Sequence, residues 1–143
     1  MNPFQSLSEY EKFAYTLQQK YPSITRSTLV IARRGHGVAT LSGELHFRGD
    51  YRLGVYEIVT WDEGPLVIQR YSYEAWHGND KLYWYDPQPH PNDPTLASTD
   101  PHHKHIPPDI KRNRVPAPGL RFNRDNLSFL IEEIDKLAET EAD

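Results

Sequence analysis

A short part of the chain combines an aspartate, four histidines and several cations. Asp86 and His90 come first, and the run His-His-Lys-His ending at His105 follows. Side chains alternate in an extended segment, so His103 and His105 point the same way and Lys104 points the other way. Imidazoles exchange protons near neutral pH, and this pair therefore predicts general acid/base chemistry.

The predicted reaction is the metal-independent cleavage of single-stranded RNA. His103 and His105 are the predicted acid and base, His90 is a third candidate, and Asp86 would orient a histidine. The ribose 2′-hydroxyl would be the nucleophile, one histidine would take its proton, and another acid would protonate the leaving 5′-oxygen. Cations beside the site would stabilise charge on the phosphorus. The cations predicted to contact phosphate are Lys104, Lys111, Arg112 and Arg114.

Further substrate-binding candidates come from the segment before Asp86. Aromatic rings stack splayed bases, which is how single-stranded RNA is usually held. Glu57 falls on the apolar face of its predicted strand, so it either forms a buried structural pair or shapes the floor of the site. The predicted stacking rings are Tyr73, Trp76, Tyr83 and Trp84, and the sheet residues predicted to bind or support substrate are Arg52, Glu57, Tyr71 and Tyr73.

Two other functions use the same residues. The first is a metal-dependent nuclease or phosphodiesterase with a divalent transition metal, because carboxylate and imidazole are suitable ligands for such ions. The His-x-His spacing is only weakly specific for metal. The second is a non-catalytic module that binds RNA or a protein, with the histidines as scaffold. The alternative metal ligands are Asp86, His90, His103 and His105.

Charge is unevenly distributed along a chain whose net charge is −4. Residues 102–124 hold six Lys or Arg residues and one Asp, whereas residues 125–143 hold seven acids and one Lys. The basic segment either meets RNA or pairs with the acidic C-terminal helix. The absence of cysteine excludes disulfides, thiolate chemistry and Cys-ligated zinc.

The sequence predicts a cytoplasmic protein that does not contact the membrane. It begins without a basic segment followed by an apolar one, so no signal peptide is expected. No apolar run approaches the roughly 20 residues that cross a bilayer. A homodimer is compatible with the sequence.

An α+β fold in one domain, residues 1–143, follows from the periodicity. Ser8 and Glu11 form a capping box for a helix over residues 6–21, and an apolar stripe predicts a second helix over residues 125–139. Residues 28–86 alternate in the manner of strands and are divided by short turns, which favours an antiparallel meander. The five predicted strands are residues 28–33, 38–47, 51–61, 65–76 and 81–86.

Residues 87–122 are predicted to form a long Pro/His-rich functional loop before the last helix. Nine of the twelve prolines lie there. Proline fixes its own φ and lacks an N–H donor, which argues against a helix or a central strand. The same restriction lowers the entropy lost on ordering, so we expect an ordered loop.

The sequence resembles the TumE-like toxins of bacterial toxin–antitoxin systems. The resemblance rests on Tyr71-Ser-Tyr73, Tyr85-Asp86, Pro89-His90 and the specific box Pro-His-His-Lys-His ending at His105, and it extends over residues 41–137. It departs in the proline-rich insertion between His90 and Pro101 and in the basic residues after the box. The resemblance implies a toxin that attacks RNA and is neutralised by a cognate antitoxin.

Overall fold

The structure is a computed structural model that describes residues 2–142. Two short helices precede the strands, and a long helix follows them. The elements are α1 (Leu7–Tyr15), α2 (Leu17–Lys20), β1 (Ile24–Ser27), β2 (Val30–Gly35), β3 (Val38–Phe47), β4 (Tyr51–Thr60), β5 (Val67–His77), β6 (Asp80–Asp86), β7 (His103–His105), β8 (Arg114–Pro116) and α3 (Leu127–Ala142).

The strands form one eight-stranded sheet in the order β1-β3-β4-β5-β6-β7-β8, and β2 also pairs with β3. Every pairing in it is antiparallel. The prediction of an α+β fold with an antiparallel sheet and a helix at each end is confirmed. The prediction of five strands is wrong, because β1, β7 and β8 extend the sheet beyond the predicted meander.

Both β7 and β8 lie inside the predicted loop, and β7 is a central strand between β6 and β8. Prolines flank β7 without entering it, so all of its backbone donors are available for pairing. Pro116 does lie in β8, which is the terminal strand of the path and needs fewer donors. The prolines therefore lie at the ends of short strands or in an edge strand, and they do not exclude strands from this segment.

The N-terminal helix differs from the prediction in its start and its continuity. Ser6, rather than Ser8, caps α1, because its hydroxyl accepts the N–H of Glu9. The helix then breaks at Thr16, whose φ of −114° and ψ of 13° are not helical, and α2 continues for four residues.

Helices α1 and α3 cover one face of the sheet, and the hydrophobic core lies between. Alternation along β4 buries Leu53, Val55 and Val59 on that face. The predicted stripe of α3 packs against it, with Leu130 and Ile131 almost fully buried. None of the helices within residues 2–142 combines the length and apolar character that a membrane crossing requires.

Candidate active site

Pairing between β6 and β7 brings Asp86 and the two central histidines onto one face of the sheet. Asp86 is the register partner of His103, and Trp84 is the partner of His105. Side chains alternate along each strand, so these four residues lie on the face opposite the helices. His103 and His105 are 1% and 4% exposed, whereas Asp86 is only half-buried. The carboxylate is thus the accessible side of the cluster.

The three side chains converge on a single point. His103 Nε2 lies 3.0 Å from Asp86 Oδ1, and His105 Nε2 lies 3.3 Å from Asp86 Oδ2. The two Nε2 atoms are 3.1 Å apart. We refer to Asp86, His103 and His105 as the triad.

Backbone carbonyls fix the tautomer of both imidazoles. His103 Nδ1 is 3.0 Å from the Pro101 carbonyl oxygen, and His105 Nδ1 is 2.9 Å from that of Ile110. A carbonyl only accepts, so each Nδ1 carries a proton and each neutral Nε2 presents a lone pair. Four acceptor atoms, two nitrogens and two carboxylate oxygens, therefore face one another, which is unfavourable unless a proton or a cation lies among them.

The ring of His105 is also held by an aromatic neighbour. Trp84 stacks on it with a centroid distance of 4.0 Å and an interplanar angle of 20°. The indole N–H of Trp84 donates to the Ile110 carbonyl that also receives His105 Nδ1. One backbone carbonyl therefore fixes both rings, and the triad is pre-organised.

The surroundings favour an ionised Asp86 and a neutral His105. Burial opposes the charge on Asp86, but the contact with His103, which donates to the carboxylate when its Nε2 is protonated, and the hydrogen bond from the Gln88 N–H outweigh it, and the pKa of Asp86 lies below its usual value. Burial lowers the pKa of His105, although the nearby carboxylate opposes the shift. These are the forms in which a carboxylate and an imidazole act as bases or bind cations.

His90 and Arg114 lie next to the triad. The ring of His90 meets that of His103 edge to face at a centroid distance of 4.8 Å. The Nη1 atom of Arg114 lies 2.9 Å from both ring nitrogens of His90. Desolvation and this guanidinium lower the pKa of His90.

An open cleft of about 400 Å³ borders Asp86. Arg70, which is exposed, and Phe122, which is half-buried, contribute a cation and an aromatic face. The cleft is lined by Gln69, Arg70, Tyr71, Ser72, Trp84, Asp86, Pro87, Gln88, Pro89 and Phe122. A ligand in it would reach the carboxylate from the solvent side.

Comparison with protein families gives a match to the model described as toxin TumE over residues 13–138. The chain belongs to the TumE toxin family. The matched range contains the triad, His90 and most of α3. Family membership supports a toxin of a toxin–antitoxin system and an antitoxin as its partner. Neither the curated proteins nor the solved structures gave a significant match.

In this TumE family member, several predicted site residues lie away from the triad. Lys104 points to the helical side, where its Nζ lies 3.1 Å from Glu133 and above the ring of Tyr83. Arg52 pairs with Glu44 and lies over the ring of Trp76. These contacts already engage both cations.

Glu57 and the two tyrosines of β5 also lie on the helical side. Glu57 and Tyr73 are buried in the core and joined by a hydrogen bond, so a substrate in the cleft would not touch them. Tyr71 lines the cleft, and its hydroxyl lies 2.7 Å from Nδ1 of His102. Of Glu57, Tyr71 and Tyr73, therefore, Tyr71 is the one that borders the cleft beside Asp86.

The loop cations Lys111, Arg112 and Arg114 all follow Ile110 in the chain. Lys111 and Arg112 are exposed and directly follow the residue whose carbonyl holds His105. Arg114, on β8, is half-buried beside His90. Arg114 thus contacts the imidazole that packs against His103.

Sequence reasoning missed the carbonyls of Pro101 and Ile110 and the cleft residues Arg70 and Phe122. Backbone acceptors have no signature in residue type, and their positions depend on how the loop closes. Trp84 was proposed as a base-stacking ring, but in this TumE family member it stacks on His105. A tryptophan directly opposite a histidine becomes recognisable only once the strand register is known.

Proposed function

We propose that this TumE family member is a toxin that cleaves single-stranded RNA at the triad. The observation that carries the proposal is the convergence of Asp86, His103 and His105 on one point beside an open cleft. Buried imidazoles with fixed tautomers next to an ionised carboxylate form a base that is positioned before substrate arrives.

The triad acts on the nucleophile as one unit. Attacking and leaving oxygens lie on opposite sides of phosphorus in an in-line displacement. Nitrogens 3.1 Å apart cannot reach both sides, so His103 and His105 serve the same oxygen rather than acting separately as base and acid. The 2′-hydroxyl gives its proton at the triad, its oxygen bonds to phosphorus, and the bond from phosphorus to the 5′-oxygen breaks.

The acid for the leaving oxygen must come from outside the triad. His90 packs edge to face against His103 and is our candidate for this acid, and Arg114 beside it would contact the phosphate. Protonation of the 5′-oxygen balances the deprotonation of the 2′-hydroxyl and leaves a 2′,3′-cyclic phosphate. Phe122 in the cleft would stack a base, and Arg70 would contact the next phosphate.

The test uses purified protein with two oligonucleotides of one sequence, in RNA and in DNA form. The RNA should be cut to give 2′,3′-cyclic phosphate ends, and the DNA should stay intact because it lacks the nucleophile. His103→Gln should lose the activity, whereas His36→Gln should keep it, since His36 is exposed in the turn between β2 and β3. Intact RNA with wild-type protein, or equal cleavage by His103→Gln, would contradict the proposal.

A further inference from the structure

We infer that Asp86, His103 and His105 bind one divalent transition-metal ion. The catalytic use of that ion rests on the function proposed above, but the binding itself does not. The three residues form a group of metal-ligating side chains whose ligand atoms lie within 4.8 Å of one another. An ion there would occupy the imidazole lone pairs, so it would replace the histidines as the group that activates the 2′-hydroxyl, by lowering the pKa of that hydroxyl, and it would supply positive charge beside the phosphate.

The orientation of the imidazole lone pairs favours a bound cation. Both imidazoles donate through Nδ1 to a carbonyl, so both direct an unprotonated Nε2 toward the carboxylate. Metal-bound histidines have this arrangement, with the distal N–H fixed by a carbonyl or carboxylate. A cation at the centre converts mutual repulsion among the acceptors into attraction.

The spacing of the nitrogen and oxygen atoms in the triad is close to that of the ligands around a metal ion. Zinc bonds to imidazole nitrogen and carboxylate oxygen are about 2.0–2.1 Å long, so neighbouring ligands of a tetrahedral ion are about 3.3 Å apart. The three separations in the triad are 3.0, 3.1 and 3.3 Å. The two contacts to Asp86 use different oxygens, so an ion would be held by both carboxylate oxygens, or by one oxygen after a rotation of the carboxylate.

The triad is closed on the side of the histidines and open on the side of the aspartate. His103 and His105 are buried and held from behind by Pro101 and Ile110, whereas Asp86 borders the cleft. Three protein ligands and one open side are typical of catalytic rather than structural zinc sites. The open side faces the space that the RNA would occupy.

The ligand types restrict the identity of the ion. Two imidazoles and a carboxylate suit first-row transition metals such as Zn²⁺, Fe²⁺ and Mn²⁺ better than Mg²⁺ or Ca²⁺, which prefer oxygen ligands. His90 is not needed for the set. Its ring is turned toward Arg114, and a guanidinium beside it opposes a nearby cation.

A proton offers the competing explanation. One imidazole could be protonated at Nε2 and form an ion pair with Asp86, with no metal. The two explanations differ in a direct measurement, because a shared proton gives no stoichiometric metal uptake.

The experiment begins with wild-type protein treated with chelator and dialysed. Titration with Zn²⁺ and with Mn²⁺ by calorimetry should show one equivalent bound. Asp86→Asn, His103→Gln and His105→Gln should each weaken binding by more than about 100-fold, beyond the 10- to 100-fold loss typical of residues behind the ligands. His36→Gln is the matched control and should bind normally. Absence of uptake, or uptake unaffected by all three triad variants, would overturn the inference.

A second measurement does not depend on the folding of variants. Anomalous diffraction from wild-type crystals soaked in Zn²⁺ should place the ion among Asp86, His103 and His105. An ion found only elsewhere on the surface would overturn the inference.

Different results would overturn the metal site and the proposed RNase function. Stoichiometric metal binding by a protein that leaves RNA intact would retain the site and reject the RNase. RNA cleavage at full rate by protein that takes up no metal would retain the RNase and reject the site.

Discussion

Glu57 is the clearest case of a charged residue whose environment decides its role. It is 1% exposed and accepts hydrogen bonds from the hydroxyls of Tyr10, on α1, and Tyr73, on β5. Asn126, just before α3, donates to Tyr73 in turn. The carboxylate therefore links the sheet to both helical segments, and its function is structural.

We predict that Glu57 makes stability depend on pH in the neutral range. Burial raises its pKa from 4.5 to about 7, although the hydrogen bonds from Tyr10 and Tyr73 oppose the shift. The folded protein then binds the proton more tightly than the unfolded chain. The contribution of Glu57 to the free energy of unfolding is therefore complete below about pH 4.5 and falls by up to about 3 kcal/mol as the pH rises through 7.

Urea unfolding of wild type and Glu57→Gln between pH 4.5 and pH 8 measures this contribution. The wild type should lose stability relative to the variant up to about pH 7, and the difference should then stay constant. Glu63→Gln, at an exposed turn position, should follow the wild type. Parallel curves for wild type and Glu57→Gln over the whole range would contradict the prediction.

At the scale of elements, β7 is the structure on which the site depends. It supplies two of the triad residues from three consecutive positions, and Lys104 between them ties the strand to α3. The Nζ atom of Lys104 and the hydroxyl of Tyr85 both contact the carboxylate of Glu133. The helix thereby helps to hold the short strand in register.

We predict that Lys104→Met lowers stability and leaves the chemistry intact. Loss of the half-buried ion pair should reduce the free energy of unfolding by about 1–2 kcal/mol. RNA cleavage at a temperature where the variant is folded should remain within a few-fold of wild type, because Lys104 lies on the opposite face from the triad. Lys12→Met, at an exposed position of α1, should have neither effect. Abolished cleavage in a folded Lys104→Met protein would place this lysine at the substrate.

The elements show which features were predictable from the sequence. Alternation and short turns gave β2 to β6, because half-buried antiparallel strands have a period of two. Strands β7 and β8 are three residues long, which is too short for such a pattern to predict them. The same alternation predicts that Lys104 points away from His103 and His105. A phosphate contact by Lys104 is therefore inconsistent with a site built on those two histidines.

The candidate site was predictable in residue type but not in arrangement. Histidines and an aspartate within one segment indicated chemistry, and the structure brings Asp86, His103 and His105 together. Their convergence depends on the register of β6 against β7 and on two backbone carbonyls. Neither feature is determined by local sequence, because a shift of one residue would turn the side chains to the other face.

At the scale of the whole molecule, positive charge is concentrated in residues 102–124 and negative charge in the last helix. The exposed cations Lys111 and Arg112 follow Ile110, whereas Lys104 is paired with Glu133 of the acidic helix α3. On the proposed function, RNA would approach this protein, whose net charge is −4, through the exposed cations that follow Ile110.

We predict that Lys111 and Arg112 contribute salt-dependent RNA affinity. Binding of a fluorescent single-stranded RNA can be measured in the Asp86→Asn background, where cleavage should not interfere. Replacing both cations by serine should reduce the slope of log affinity against log salt by about 1.4, that is, about 0.7 per phosphate contact. Replacing Lys12 and Lys20, which are exposed on α1 and α2, should not change it. An unchanged slope in the loop variant would show that this surface does not bind RNA.

The measurement that tests the central claim most directly is the rate at which folded Asp86→Asn cleaves a defined single-stranded RNA. Asparagine keeps the shape of the side chain but removes the charge that both imidazoles face. The rate should fall by about 100-fold or more relative to wild type, the usual contribution of a positioned base. A folded Asp86→Asn protein that cleaves at the wild-type rate would contradict the assignment of the triad as the catalytic centre.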